Sequence, residues 1–219
     1  MSAVRVAVLV SGGGTNLQAL LDATATPGAP AKVAVVVTNR ADAGALERAR
    51  RAGVPTAVLA DHGNAAELLR ALDDADLVVL AGYVKLVPAE VVARFRCRMI
   101  NIHPALLPAF GGPGFYGRRV HEAVLASGTT VSGATIHYVD EHYDRGAIIA
   151  QWPVPVHADD TTDTLAARVL AVEHRLLPAV VLALARLGVP AEPVRLVAGR
   201  DGFSVSDEPT VELKPHATE

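Results

Sequence analysis

The sequence predicts an α/β fold, namely a doubly wound, mainly parallel sheet with helices on both faces and a short hairpin near the C-terminus. Four short apolar runs of strand length alternate with segments of helical spacing in the first half of the chain. The first run leads directly into a glycine-rich turn. Short, continuously apolar strands are typical of a parallel sheet that is covered on both faces.

The predicted elements follow one another with short connections. Strands are predicted over 4–10, 32–38, 54–59 and 76–81, and helices from residue 17 and over 41–52, 65–72 and 88–95. A strand over 99–102, a helix over 118–126, strands over 131–139 and 147–156 and a helix over 163–187 come next. A short hairpin and a frayed end are expected over 190–219. We therefore expect a single domain over 1–219, with a core of about 1–190 and an extension over 191–219.

Composition and charge limit the possible partners. The 219 residues are 51% hydrophobic with a net charge of −3, which allows a sizeable core but does not suit a protein that grips nucleic acid. No apolar run approaches the ~20 residues of a membrane span. Cys97 is the single cysteine, and the N-terminus lacks a signal-peptide pattern, so we expect a cytoplasmic protein. A monomer and a homodimer are both compatible with the sequence.

The turn after the first strand is a candidate anion site. The segment Ser11-Gly12-Gly13-Gly14-Thr15-Asn16 lies between a strand and a helix N-terminus. It is not a dinucleotide fingerprint, because Leu17 stands where that motif has its third glycine, and it is not a Walker loop, because no lysine follows. A phosphate monoester held by backbone N–H groups and by the side chains of Thr15 and Asn16 fits better. The alternative is a tight turn in which Thr15 caps the helix.

A second candidate site lies at the end of the predicted 99–102 strand. Asn101 and His103 combine an amide with an imidazole that titrates near neutral pH. An acid of the 140–144 loop (Asp140, Glu141 or Asp144) would complete an amide–imidazole–carboxylate set. The sequence shows neither a G-x-S-x-G nucleophile motif nor a cluster of metal ligands, so we expect no metal. This set suits acyl transfer with acid/base help and oxyanion stabilisation, although it could also be a polar strand end.

Two further residues have alternative interpretations. His137 lies inside a predicted strand, where it either lines a pocket or is a hydrogen-bonded core histidine. Glu173 is a lone acid on a mostly apolar stretch of the long helix. It either contacts a ligand amine or pairs with Arg168 or Arg175.

The arrangement of these motifs resembles the glycinamide ribonucleotide formyltransferases, folate-dependent enzymes of purine synthesis. The matching segments run in the family's order over roughly residues 4–190: 11–17, Leu80-Ala81-Gly82-Tyr83, Asn101-Ile102-His103-Pro104-Ala105-Leu106-Leu107-Pro108, and His137-Tyr138-Val139 leading to Asp144. The sequence departs from the common family pattern in three places. Ala105 replaces a common serine, the loop over 110–117 is longer, and no basic residue is identifiable over 61–66.

The resemblance implies a Rossmann-like formyltransferase fold, and 10-formyltetrahydrofolate and glycinamide ribonucleotide as small-molecule substrates. It also implies that Asn101, His103 and Asp144 are catalytic, with Asp144 orienting His103. The remaining implied contacts concern the substrates: Gly14, Thr15 and Asn16 would hold the nucleotide phosphate, Glu173 its glycinamide end, and Val84, Lys85, Leu86, Val87 and Asn101 the folate.

Three alternatives share part of this pattern. A formyltetrahydrofolate deformylase has the same Asn, His and Asp but normally carries an N-terminal regulatory domain, for which we expect no room before Val4. A methionyl-tRNA formyltransferase adds an RNA-binding domain, for which the residues after Pro190 leave little length. A non-catalytic folate-binding protein would not need the three polar residues.

Overall fold

The computed structural model describes residues 2–199 and 202–205, in which strands and helices alternate as the sequence predicts. The strands are β1 (Val4–Val10), β2 (Ala31–Thr38), β3 (Thr56–Val58), β4 (Leu77–Leu80), β5 (Met99–His103), β6 (Val131–Tyr138), β7 (Ile148–Pro155), β8 (Leu196–Gly199) and β9 (Gly202–Val205). The helices are α1 (Thr15–Thr24), α2 (Gly44–Arg51), α3 (Ala65–Ala71), α4 (Ala89–Arg94), α5 (Arg118–Ser127) and α6 (Thr162–Arg186).

The main sheet has seven strands in the order β3-β2-β1-β4-β5-β6-β7. Strands β1 to β5 pair in parallel, whereas β6 is antiparallel to β5 and β7 is antiparallel to β6. The chain winds outward on one side of β1 through β2 and β3, and on the other side through β4 and β5. This confirms the predicted doubly wound, mainly parallel sheet and places the reversal of strand order between β1 and β4. Ligands of such sheets bind beyond the carboxyl ends of the strands at that reversal.

The apolar side chains of β1 explain why helices cover both faces. Val6 and Val8 belong to the hydrophobic cluster that includes α1 and α6, whereas Ala7 and Leu9 belong to the cluster that includes α3 and α4. Successive strand residues point to opposite faces, so an unbroken apolar run requires two covering layers.

The second helix begins later than predicted, at Gly44 rather than at Ala41. The preceding residues form a turn in which the guanidinium of Arg40 binds the carboxylate of Asp42 and the Ala43 N–H donates to the Arg40 carbonyl. This turn brings Gly44 against the backbone of Gly13, where an added Cβ would lie 3.4 Å from the Gly13 Cα. The difference therefore reflects close packing of α2 on the glycine-rich turn.

Near the C-terminus, β8 and β9 form the predicted antiparallel hairpin. The predicted frayed end, 206–219, lies outside the described residues. Among the residues that the structure describes, none of the helices combines the length and the apolar character needed to cross a bilayer.

Candidate active site

Asn101 and His103 lie on the same face of β5, at the carboxyl end of the sheet. They are two positions apart, so their side chains share a face, while Ile100 and Ile102 point into the core on the other. Antiparallel pairing with β6 sets His137 directly opposite Asn101. The alternation of β5 therefore accounts for the presentation of both polar side chains.

The carboxylate of Asp144 completes this cluster. Its Oδ1 lies 3.4 Å from Asn101 Nδ2, 3.5 Å from His103 Nδ1 and 3.6 Å from His137 Nε2. Among the three acids of the loop it is Asp144 that faces His103, whereas Asp140 accepts a hydrogen bond from the backbone of its own loop. Asp144 adopts a left-handed backbone conformation (φ 56), which turns it toward the strands.

Hydrogen bonds assign the protons on both histidines. His103 Nε2 lies 2.8 Å from the carbonyl oxygen of Phe110, so Nε2 carries a proton and Nδ1 faces Asp144. His137 Nδ1 lies 2.8 Å from the Tyr138 carbonyl, so in the neutral ring Nε2 accepts from Asn101 Nδ2 at 3.0 Å. Both interpretations of His137 therefore apply: it is a hydrogen-bonded histidine within a strand, and it also lines the site.

The site is buried, and burial and the nearby charges shift the pKa values of its groups in opposite directions. Burial lowers the pKa of His103, while the Asp144 charge and the hydrogen bond to Phe110 oppose that shift without cancelling it. Burial also raises the pKa of Asp144, but the interaction with the His137 ring, the charge of His103 and the Gly112 N–H outweigh it and leave that pKa below its usual value. Asp144 is thus an anion at neutral pH. His103 needs the charge of the Asp144 carboxylate if its ring is to hold a second proton in addition to the one on Nε2.

The cluster opens into a cavity of about 330 Å3. This cavity includes Asn101, His103, His137 and Asp144, and its wall also contains the predicted folate segment Val84, Lys85, Leu86 and Val87. The loop over 112–117 also lines the cavity. A cavity of this size that joins apolar walls to convergent polar groups suits a small organic ligand.

The glycine-rich turn forms a second concave site at the same edge of the sheet. Gly14 precedes α1 with φ 73, and a Cβ there would lie 2.8 Å from the Cβ of Ala45, so only glycine fits. No side chain caps α1, so the alternative in which Thr15 caps its helix is wrong. The first N–H groups of α1 are therefore available to an anion. Thr15 is exposed beside them.

Asn16 and Glu173 form a buried pair that joins α1 to α6. Asn16 Nδ2 donates to Glu173 Oε2 at 2.6 Å, so in this conformation the Asn16 side chain faces α6. Burial raises the pKa of Glu173, and the Asn16 hydrogen bond only partly opposes that shift. Neither predicted arginine partner is found, because Arg168 binds Asp160 and Arg175 stacks over a tryptophan ring.

The sequence interpretation missed three features of this region. The backbone of Phe110 and Gly112 contacts His103 and Asp144, and no residue type signals such a contact. His121 is buried on α5, and burial, followed by the charges of His103 and Arg118, lowers its pKa. In the sequence, the helical spacing of His121 relative to the apolar residues of α5 could have indicated that its side chain is buried. The third feature is Arg48, whose Nε donates to the Gly13 carbonyl.

No metal site emerges from the part of the chain that the structure describes. Within residues 2–199 and 202–205, no group of three or more His, Cys, Asp or Glu side chains is placed to hold an ion.

Comparisons with known proteins agree with this arrangement. The family model for formyl transferases matches residues 4–181. Phosphoribosylglycinamide formyltransferase from Haemophilus influenzae is 38% identical over 185 residues, covering 81% of this chain and 85% of the relative. The chloroplastic protein of that name from Vigna unguiculata is 46% identical over 188 residues, covering 82% of this chain. The chain spans only 60% of the length of this plant relative.

A solved structure gives the same result. Glycinamide ribonucleotide transformylase 1 from Symbiobacterium toebii superposes with a TM-score of 0.79 at 40% identity, covering 94% of this chain and 95% of that one. The chain belongs to the formyl transferase family.

Proposed function

We propose that this protein transfers the formyl group of 10-formyltetrahydrofolate to the amine of glycinamide ribonucleotide, giving the formylated nucleotide and tetrahydrofolate. The observation that carries the proposal is the convergence of Asn101, His103 and Asp144 on one cavity, beside a helix N-terminus suited to a phosphate. The names of the relatives support the same reaction. The partners are then two small molecules, and no metal takes part.

The proposed reaction begins when the substrate amine attacks the formyl carbon. The new N–C bond produces a tetrahedral intermediate, whose oxyanion accepts hydrogen bonds from Asn101 Nδ2 and protonated His103. The amine loses a proton, N10 of the folate gains one, and the C–N10 bond breaks. Asp144, 3.5 Å from His103 Nδ1, keeps the imidazole oriented and favours its protonated form.

The substrates occupy the two concave sites in this proposal. The N–H groups around Gly14, Thr15 and Asn16 hold the nucleotide phosphate, and Glu173 contacts the glycinamide end. The folate occupies the cavity with Val84, Lys85, Leu86, Val87 and Asn101 in its wall. His137 positions the Asn101 amide. We also propose a single formyltransferase domain over 1–219 and a cytoplasmic location.

The test is to incubate the protein with 10-formyltetrahydrofolate, with and without glycinamide ribonucleotide, and to measure tetrahydrofolate. Release that requires the nucleotide supports the transferase. Release without the nucleotide would identify a deformylase, and binding without release a folate-binding protein. His103→Ala should lower kcat by about 10²- to 10³-fold, because it removes one oxyanion donor. A variant with near-wild-type turnover would contradict the assignment.

A further inference from the structure

Ser11 lies at the end of the central strand β1, between the two concave sites. Strand β1 pairs with β2 on one side and with β4 on the other, so Ser11 follows the strand at which the strand order reverses. The glycine-rich turn continues from Ser11 into Gly12, and the predicted folate segment, residues 84–87, follows β4. Ser11 is only 6% exposed, and the sequence interpretation assigned it no role of its own.

Two hydrogen bonds connect Ser11 to the chain that follows β4. Its backbone N–H donates to the Gly82 carbonyl at 3.1 Å, and its Oγ accepts a hydrogen bond from the Val84 N–H at 3.1 Å. Val84 is the first residue of the predicted folate segment and lies in the cavity wall. A single residue is therefore bonded to the folate segment and is also joined through the backbone to the glycine-rich turn.

Asn39 fixes the direction of the Ser11 hydroxyl. The Ser11 hydroxyl donates to Asn39 Oδ1 at 2.7 Å, and Asn39 directly follows β2. A hydroxyl has one proton to donate, so its lone pairs remain to accept the hydrogen bond from Val84. The two hydrogen bonds of the hydroxyl thus connect the carboxyl end of β2 to the folate segment through Ser11.

The glycine-rich turn is held from its other side by α2. The Ala45 N–H donates to the Gly12 carbonyl at 3.2 Å, and Gly44 packs against the backbone of Gly13. These contacts fix the turn relative to α2, whereas the hydrogen bonds of Ser11 fix it relative to residues 84–87.

Transfer between two bound substrates depends on the relative position of their binding sites. Reacting atoms must approach to about 3–3.5 Å, and a misplacement of about 1 Å can slow a reaction ~10²-fold. In the proposed reaction, the nucleotide is held at the glycine-rich turn and the formyl donor lies beside residues 84–87. A change in the relative position of these two segments therefore changes the approach of the amine to the formyl carbon.

We propose that Ser11 is a positioning residue for this transfer, because its hydroxyl holds the folate segment at a fixed distance from the glycine-rich turn. It acts through the Val84 N–H and the backbone of Gly12, and it does not touch the reacting atoms. The inference rests on the proposed function, since it concerns the alignment of the two substrates of that reaction. Loss of the hydroxyl should slow the transfer more than it weakens the binding of either substrate.

The test is Ser11→Ala, which removes the hydroxyl and keeps the backbone hydrogen bond to Gly82. We expect kcat with glycinamide ribonucleotide to fall about 10- to 100-fold, because the two segments lose their fixed spacing. The dissociation constants of ribose 5-phosphate and of tetrahydrofolate, each measured alone by calorimetry, should change by less than about threefold, because each ligand binds to its own segment.

The phosphate-free nucleoside distinguishes positioning from general damage to the site. The glycine-rich turn does not hold this acceptor, so its kcat/KM in Ser11→Ala should stay within about threefold of the wild-type value. A loss of packing or of the catalytic groups would instead slow the nucleotide and the nucleoside alike.

Ser127→Ala is the matched control. The Ser127 hydroxyl also donates to an oxygen, the Val124 carbonyl at 2.7 Å, and accepts from a backbone N–H, that of Thr129 at 3.3 Å. It lies at the end of α5, and this variant should match the wild type in every assay. A second variant, Asn39→Ala, keeps Ser11 but removes the acceptor that orients its hydroxyl. It should show the same pattern with a smaller loss of kcat, about 3- to 10-fold.

The outcomes separate this inference from the proposed function. An unchanged kcat in Ser11→Ala, or equal losses with the nucleotide and the nucleoside, would overturn the inference and leave the proposed function standing. A wild-type kcat in Asn39→Ala would overturn it as well, which keeps the test decisive if Ser11→Ala does not fold. A wild-type protein that releases no tetrahydrofolate in the presence of the nucleotide would contradict the proposed function, and the inference would fall with it.

Discussion

Replacing Asp144 by Asn tests how far the charge of one carboxylate controls the candidate catalytic group. The change should preserve the fold for two reasons. Asn is among the few residues that tolerate the left-handed conformation seen here, with φ 56. Its amide oxygen can also accept the hydrogen bond that Gly112 N–H donates to Asp144 Oδ2 at 2.9 Å. Melting temperature should therefore change little.

The electrostatic effect should be large because both groups are buried. The side chain of His103 is 4% exposed and that of Asp144 10%, and Nδ1 lies 3.5 Å from Oδ1. Two unit charges ~4 Å apart interact by about 4 kcal/mol at an effective dielectric constant of ~20. Losing this interaction destabilises the imidazolium by up to that amount, and each ~1.4 kcal/mol corresponds to one order of magnitude. We expect kcat at neutral pH to fall about 10²- to 10³-fold.

The pH–rate profile identifies the cause. Burial already lowers the pKa of His103, and the Asp144 charge opposes that shift, so its removal lowers the pKa further. Activity that depends on protonated His103 falls as pH rises through this pKa. The descending limb of log kcat against pH should therefore move to lower pH. Asp140→Asn removes the same charge from the same loop and is the control. A kcat within threefold of wild type, or an unmoved limb, would refute the reasoning.

Two further predictions concern the glycine-rich turn and its buried acid. Gly14→Ala should lower the free energy of unfolding in urea by at least ~1 kcal/mol and raise the KM for the nucleotide, because φ is 73 and the new Cβ would meet Ala45 at 2.8 Å. Glu173→Gln should raise the free energy of unfolding at pH 8 relative to wild type. Since burial raises the Glu173 pKa above its usual 4.5, the folded wild type loses stability as pH rises from that value through the raised pKa.

A second glycine variant and a comparison of two pH values are the controls for these two predictions. Gly28 has φ 80 and open space around it, so Gly28→Ala has only the backbone cost, and its effect on stability should be smaller than that of Gly14→Ala. The Gln variant should show less change in unfolding free energy between pH 5 and pH 8 than the wild type. Equal slopes would show that Glu173 does not titrate across this range.

The fold was largely predictable because the residues of each strand are sufficient to identify that strand. The apolar runs that form β1 and β4 can be recognised without knowing their neighbours, and the alternation with helices implies a parallel sheet. The start of α2 was not predictable in this way. Its position depends on the contact between Gly44 and Gly13, which are far apart in sequence and come together only in the tertiary structure.

The same distinction applies to the candidate site. Asn101, His103 and Asp144 were identifiable because their residue types suit the chemistry and because the motif resembles a known family. Sequence alone left three acids of one loop as candidates, and the geometry places only Asp144 within 3.5 Å of the imidazole. Arg48 was not identifiable, because an arginine on an exposed, charge-rich helix normally forms surface ion pairs, as Arg50 does.

The hydrogen bonds of the site indicate what substrate binding must change. The Asn101 amide donates to His137 and Asp144, and His103 Nε2–H donates to the Phe110 carbonyl, so the donors proposed for the oxyanion are already engaged within the protein. A formyl oxygen must therefore compete with these acceptors. For His103 this means that the Nε2–H must leave the Phe110 carbonyl, 2.8 Å away, or be shared between that carbonyl and the formyl oxygen.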